Sequence, residues 1–150
     1  MSADTSARRW RLCSPITPAL PILTAPSSPD AERVSLATAA AEFEAKFDRN
    51  RAGSDFLHWG EGKVSINKDS IAFVGELAPG PDYKVYLSPT YVEDEQQFLA
   101  NKANMVQIGD VKTFENFLLD LPAGTDLAQF DTVVVWCESF SEFITSGQYR

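Results

Sequence analysis

Cysteine and histidine are the residues of this chain whose side chains could carry redox or ligand chemistry, and both types are scarce. The sequence holds Cys13, Cys137 and one histidine, His58. A structural zinc site takes about four Cys or His ligands, and a blue-copper site takes two His and one Cys. The C-x-x-C, C-x-x-C-H, P-loop, G-x-G-x-x-G and H-E-x-x-H motifs are also missing from the sequence. We therefore predict no metal site within this chain.

Three roles are chemically open to Cys137. Its thiolate could be an axial ligand to haem iron, and its free thiol could exchange electrons through sulfenate or disulfide chemistry. The thiol could also simply fill space, since free cysteine is among the most buried residue types. If residues 1–28 are removed, Cys137 has no internal disulfide partner. A lone thiol in an oxidising compartment is a liability unless it is buried or used.

His58 lies in an aromatic segment just before the first predicted strand. It could ligate a metal or haem, tune a thiol, or satisfy a local hydrogen bond as most histidines do. A Ser-His-Asp hydrolase would have to use His58, but no G-x-S-x-G marks a nucleophile. Nearby aromatic and thioether side chains could line an apolar pocket or offer a ligand, or they could be ordinary core. These are Trp59, Tyr83, Tyr86, Met105 and Trp136.

The elements that must position Cys137 are strands. Three consecutive valines, Val133 to Val135, favour extended backbone because their branched side chains are stiff. Val133, Val135 and Cys137 share one face, while Val134 and Trp136 share the other. Both faces are apolar, so the pattern predicts a central strand. Further strands are predicted at 63–66 and 71–77 as a hairpin, and at 83–87, 105–109, 114–121 and 131–138. The last strand, around Gln148, should follow a short helical turn.

The N-terminal part of the chain has a different character. Residues 1–28 place three arginines before an apolar run broken by prolines, which suggests either an export signal or a disordered leader. Residues 29–52 form the next segment, with a helix predicted over 29–48, Ser28 as its N-cap and an apolar stripe at helical spacing. The stripe consists of Leu36, Ala40, Phe43 and Phe47. Residues 88–104 read as a long loop with a helical turn around 96–100.

Charge and fold class follow from the whole chain. The net charge is -8 and no Lys/Arg cluster follows residue 11, which argues against a nucleic-acid partner. No apolar run approaches the length of a membrane span. Short strands separated by turns predict a mostly β protein, an antiparallel β-sandwich or barrel-like domain with an N-terminal helix.

Residues 53–150 resemble the DM-thirteen domain, a small extracytoplasmic module found alone in bacteria and beside DOMON domains in animals and plants. Several short motifs in the same order carry the resemblance. They are His58 with Gly62, Gly80-Pro81-Asp82 before Val85-Tyr86-Leu87, Ile108-Gly109 before Val111-Lys112, Leu121-Pro122, and Val134-Val135-Trp136-Cys137 with Phe140 and Phe143 behind.

The resemblance implies a periplasmic or secreted electron-transfer domain, with a cytoplasmic setting as the alternative. It implies that Cys137 is the redox group, as a free thiol or as the ligand of a prosthetic group such as haem. His58 is then the candidate second ligand or polar neighbour. We expect an electron carrier rather than a turnover enzyme, with a redox protein or a small-molecule donor or acceptor as partner. The competing hypothesis is a non-catalytic β-sandwich binding module in which Cys137 is buried and structural.

Overall fold

Two antiparallel four-stranded sheets form the framework of residues 29–150, the part of the chain that the computed structural model describes. The first sheet has the order β1-β2-β3-β6 and the second has the order β5-β4-β7-β8. The predicted leader, with Cys13 and Ser28, lies outside the described residues. The first sheet contains β1 (Phe43–Phe47), β2 (Gly60–Ile66), β3 (Ser70–Leu77) and β6 (Asn116–Asp120). The second contains β4 (Tyr83–Ser88), β5 (Val106–Val111), β7 (Thr132–Cys137) and β8 (Glu142–Gln148). The predicted mostly β, antiparallel fold is confirmed.

Strands β2 and β3 form the hairpin that the sequence predicts. Ile66 pairs with Ile71 across its end. The Asn67 side chain closes the turn, because its Oδ1 accepts hydrogen bonds from the backbone N–H groups of Asp69 and Ser70, both at 2.8 Å. An Asn side chain that bonds the backbone ahead of it is a common way to stabilise such a turn.

Strand β7 is an internal strand, paired with β4 on one side and β8 on the other. Its six residues are all buried. Val133, Val135 and Cys137 face the space between the sheets, whereas Val134 and Trp136 face outward into a second apolar cluster. The predicted assignment of the two faces is confirmed, and both faces are covered.

The inner core fills the space between the two sheets and is continuous from end to end. The sandwich is closed along one side because β8 lies beside β1. A Cβ added at Gly147 would sit 2.7 Å from the Lys46 carbonyl oxygen. The Arg51 side chain spans this seam, donating hydrogen bonds to the carbonyl oxygens of Ser146 (2.9 Å) and Lys46 (3.0 Å). On the other side, Gly109 of β5 approaches Leu119 of β6. The result is a flattened, barrel-like sandwich.

The predicted helix over residues 29–48 is wrong beyond Ala39. Helix α1 spans Ala31–Ala39 with Asp30 as its N-cap, and its buried residue is Val34. Leu36 is 64% exposed, so the proposed apolar stripe does not exist. Phe43 and Phe47 belong to β1 instead. Two residues four apart share a face both in a helix and in a strand, and sheet pairing decided in favour of the strand.

The closing segment also differs from its prediction. Strand β8 begins at Glu142, directly after a tight hairpin turn in which Ser141 has φ 53°. No helical turn precedes it within the described chain. The apolar Phe143 and Ile144 alternate between the two faces of the second sheet. The long segment after β4 does contain a helix where one turn was predicted, namely α2 (Glu95–Asn101), followed by a short 3-10 turn (Lys102–Asn104).

Candidate functional site

Cys137 is the last residue of β7 and faces the inner core. Cys137 is 1% exposed, and its thiol forms no disulfide bond. Tyr83 of β4 and Glu142 of β8 are its cross-strand partners. Strand β7 therefore places the sulfur at one end of the sandwich, between the buried valines of β7 and the loop that precedes β4.

The ring of Tyr83 covers the core beside Cys137. The Tyr83 hydroxyl donates a 2.6 Å hydrogen bond to the Ala78 carbonyl oxygen, which fixes the ring under the loop before β4. Phe114 packs edge-on against this ring, with centroids 5.8 Å apart. Burial, with a smaller contribution from nearby Cys137, raises the pKa of Tyr83 to about 12. The Tyr83 phenol is thus close enough to Cys137 for the two groups to interact electrostatically.

A network of polar contacts joins the Gly80-Pro81-Asp82 segment to the residues just after Cys137. The Asp82 carbonyl oxygen accepts from the Glu138 backbone N–H at 3.0 Å, and Ser139 Oγ donates to Asp82 Oδ2 at 2.9 Å. Lys84 Nζ lies 3.1 Å from Asp82 and 2.7 Å from Asp110. Hydrogen bonds from Lys84 and Ser139 lower the pKa of Asp82. The network fixes the end of β7 against the loop that covers the thiol.

On the outward face of the second sheet, α2 covers Trp136. Phe98 of α2 stacks on the Trp136 ring at 3.9 Å and 10°, and Tyr86 of β4 meets Phe98 edge-on at 5.2 Å. The Tyr86 hydroxyl donates to Glu138 Oε1, and Lys102 Nζ lies 3.2 Å from Glu138 Oε2. We call this group the outer cluster.

Sequence reasoning did not identify Glu138, Phe98 or Lys102. Tyr86 and Glu138 lie 52 positions apart, so no local spacing links them. They meet because β4 pairs with β7 in a register that sets Tyr86 opposite Val134, with Glu138 further along the same face. The sequence offered one signal for this site: Glu138 is a carboxylate that directly follows a fully apolar strand.

Comparison with protein families adds a decisive observation. The family model described as "Electron transfer DM13" matches residues 47–149, well over half of the chain. The chain belongs to this family. No curated protein and no solved structure matches it. The resemblance noted in the sequence is therefore confirmed, and membership of the electron transfer DM13 family indicates an electron-transfer module with a redox partner in general.

Within this DM13 domain, His58 lies in the loop between β1 and β2. Its Nδ1 is 3.1 Å from Asp55 Oδ2, and its backbone N–H also bonds to the same carboxylate. The hydrogen bond from His58 lowers the pKa of Asp55. The side-chain partner of His58 is thus a neighbouring carboxylate, whereas Cys137 is enclosed in the inner core. A joint role for the two residues stays a prediction.

The packing around Cys137 does not fit a haem group in this conformation. A ligated haem needs open space beside the sulfur for a large flat ring. Instead, the Cys137 side chain faces a filled core that includes Tyr83, Val135 and Ile144, all at most 2% exposed. Close-packed protein interiors leave few voids larger than a water molecule, so this core offers no space for the ring.

The aromatic residues that could have lined one apolar pocket, or been ordinary core, are divided among three places. Tyr83 belongs to the inner core, and Tyr86 and Trp136 belong to the outer cluster. Trp59 is half-buried under Arg49, whose guanidinium carbon lies 3.5 Å from its ring centroid. Met105 packs against the outer cluster as a space-filling side chain. Across residues 29–150, no group of three or more His, Cys, Asp or Glu side chains is arranged to hold a metal ion. Neither α-helix of that region is long and apolar enough to cross a membrane.

Proposed function

We propose that this DM13 domain is an extracytoplasmic electron-transfer module in which Cys137 is the redox group and acts as a bare thiol. In the oxidising step the S–H bond breaks, one electron passes to a one-electron acceptor on the partner, and the proton passes to water. The reverse step restores the thiol. The partner is a redox protein or a small-molecule donor or acceptor, and the domain is a carrier that is not consumed.

The placement of the thiol at the end of the sandwich supports this proposal. Tyr83 is the cross-strand partner of Cys137, and the missing side chain of Gly80 lets the Tyr83 ring approach the loop before β4. The flanking residues Pro79 and Pro81 are exposed. An exposed loop thus contacts the ring beside Cys137, and loops open locally at a lower free energy than core strands.

An extracytoplasmic setting is proposed from the leader pattern and from the cysteine content. Residues 1–28 have the order of an export signal, and Cys137 has no disulfide partner once they are removed. Cell fractionation of the full chain, with a cytoplasmic marker protein alongside, tests this part. Recovery of the chain with the cytoplasmic marker would contradict it.

One observation favours the competing role of a binding module with a structural cysteine. Cys137 is 1% exposed, which is typical of an inert packed thiol. The two roles differ in whether the sulfur reacts while the domain stays folded.

Thiol chemistry on the full chain tests the proposal. A Cys13→Ser background leaves Cys137 as the sole thiol, and Cys137→Ala in that background is the matched control. We expect Cys137 to reduce one equivalent of ferricyanide in the folded protein, and the Cys137→Ala protein to reduce none. Reaction only after unfolding in urea would overturn the redox role and support the binding module. Haemin added in parallel tests ligation, because a Soret band lost in Cys137→Ala would overturn the bare-thiol form.

A further inference from the structure

The outer cluster contains a connected set of oxidisable rings that the proposed thiol chemistry does not use. Tyr86, Phe98 and Trp136 are 4%, 0% and 1% exposed. The stack of Phe98 on Trp136 and the edge contact of Tyr86 with Phe98 connect the three rings. Tyrosine and tryptophan have the most easily oxidised aromatic side chains, and here both contact the same phenylalanine.

The hydrogen bond of Tyr86 distinguishes it from the other tyrosines of the chain. The buried Tyr83 and Tyr149 donate to backbone carbonyl oxygens, which cannot take up a proton. Tyr91 donates to Glu93 but lies at the surface beside Arg51. Tyr86 alone of the four is both buried and bonded to a carboxylate, that of Glu138.

We propose that Tyr86 and Glu138 form a proton-coupled redox site, which exchanges electrons with Trp136 across Phe98. When a one-electron oxidant, such as an oxidised metal complex or metal centre, removes an electron from Trp136, the Trp136 radical cation takes an electron from Tyr86. The Tyr86 O–H bond breaks in the same step, and its proton moves to the Glu138 carboxylate. The products are neutral Trp136, a Tyr86 phenoxyl radical and protonated Glu138.

Three features of the cluster suit this step. Lys102 Nζ lies 3.2 Å from Glu138 Oε2, and this contact helps to hold the carboxylate at the Tyr86 hydroxyl. The Glu138 side chain is 27% exposed, so a proton on it can pass on to water. Burial and the bond to Glu138 raise the pKa of Tyr86, so the phenol keeps its proton until it is oxidised. The other polar groups facing Tyr86 are Gln107 of β5, 3.4 Å away, and Asp82 of the loop before β4.

This inference goes beyond the proposed thiol role and does not depend on it. Trp136 precedes Cys137 in β7 and points to the opposite face of the sheet. Loss of the thiol in Cys137→Ala should therefore leave the Tyr86 radical in place. Failure of one proposal is thus distinguishable from failure of the other.

Flash photolysis of the full chain with a ruthenium tris-bipyridine complex and a sacrificial electron acceptor tests the site. We expect a tyrosyl radical in the electron paramagnetic resonance spectrum, and its loss in Tyr86→Phe. That change keeps the ring and its packing, so the variant should fold. Tyr149→Phe is the matched control, because it removes a buried hydroxyl bonded to a carbonyl, and it should leave the signal unchanged. An undiminished signal in Tyr86→Phe would overturn the proposal.

The role of Glu138 has its own readout. In Glu138→Gln the amide oxygen can still accept the hydrogen bond but takes up no proton, so oxidation of Tyr86 should slow on the order of 100-fold. The rate in the wild-type protein should be independent of pH near neutrality, and in Glu138→Gln it should rise with pH because hydroxide replaces the carboxylate. Unchanged rates and pH profile would show that the bond is structural. Proton transfer in the oxidation step should also make oxidation of the wild-type protein slower in D2O than in water. An equal rate in the two solvents would contradict the proposal even if Glu138→Gln failed to fold.

Discussion

At the level of single residues, the space over Gly80 explains why the Gly-Pro-Asp segment accompanies the cysteine strand. A Cβ at position 80 would lie 2.2 Å from Cε1 of the Tyr83 ring. The ring cannot retreat, because its hydroxyl is bonded to Ala78 and its other side meets Phe114. Glycine here is required by the close approach of a ring that also covers Cys137.

Gly80→Ala should therefore destabilise the domain by about 1–3 kcal/mol, the usual cost of forcing an extra carbon into a packed site. Gly109→Ala is the matched control. Its added Cβ would meet Leu119 at an ordinary 3.4 Å, and we expect a change within about 0.5 kcal/mol. Urea unfolding followed by tryptophan fluorescence measures both. Equal effects at the two positions would show that the Tyr83 contact is not the cause.

At the level of elements, helix α2 is held against the second sheet mainly by the side chain of Phe98. The helix has seven residues, too few to be stable alone in water. Asp94 caps its start by accepting from the Gln97 backbone N–H at 2.8 Å. Phe98 is its buried residue and holds it on Trp136 and Tyr86.

Phe98→Ala should cost about 3–5 kcal/mol, because it removes a fully buried ring and leaves a cavity between α2 and the sheet. Leu99→Ala, one residue on and 57% exposed, should change stability by less than about 0.5 kcal/mol. Chemical denaturation gives both values, and amide hydrogen exchange reports order in residues 95–101. Retained protection of α2 in Phe98→Ala would mean that other contacts hold the helix.

The start of α2 also faces the start of β8 through two carboxylates. The hydrogen bond and repulsion between Glu95 and Glu142, together with burial, raise the pKa of Glu95, while nearby His58 lowers it by less. A carboxyl group whose folded-state pKa is raised stabilises the fold while protonated, and that stability is lost as the pH rises through the folded-state pKa.

Glu95→Gln should therefore raise the unfolding midpoint at neutral pH and leave it unchanged below about pH 4, where the unfolded-state carboxyl is already protonated. Thermal unfolding across this pH range measures the difference. Glu115→Gln, at an exposed position in the turn before β6, is the control and should shift nothing. A midpoint equally raised at low pH would mean that the glutamine acts through packing instead of charge.

At the level of the whole molecule, three tyrosines are buried in different parts of the domain. Burial raises the pKa of Tyr83 and of Tyr149 to about 12, and it raises the pKa of Tyr86 as well. A raised phenol pKa means that the folded state binds more protons than the unfolded state above about pH 10. Stability is therefore fully present below pH 10 and decreases as the pH rises towards 12.

We expect the domain to unfold cooperatively in this alkaline range, since Tyr83 and Tyr149 each contribute roughly 2–3 kcal/mol that ionisation removes, and ionisation of Tyr86 acts in the same direction. A spectrophotometric titration should show the exposed Tyr91 ionising while the fold persists, and the three buried phenols ionising together with loss of the circular dichroism signal. Four independent ionisations in a folded protein would contradict the burial of these rings.

Much of the second sheet could be predicted from the sequence, because alternation along a strand is a local property. The valines of β7 alternate between two apolar faces whatever their neighbours are, and the face of Cys137 follows from that period alone. The same argument failed at Phe43 and Phe47, whose spacing satisfies two periods at once. Only the pairing of β1 with β2 separates the two readings.

The residues that pack against each face of β7 were decided by the tertiary structure. The order β5-β4-β7-β8 places Tyr83 beside Cys137 and brings Glu138 to Tyr86 from 52 residues away. Strand register and the docking of α2 are set by contacts distant in sequence, and no local pattern encodes them. The sequence by itself thus determined most of the strands, with β1 as the exception, together with the face of the thiol and the family. The tertiary structure decided that the thiol lies under Tyr83, and that a tyrosine bonded to a carboxylate lies on the other side of the same sheet.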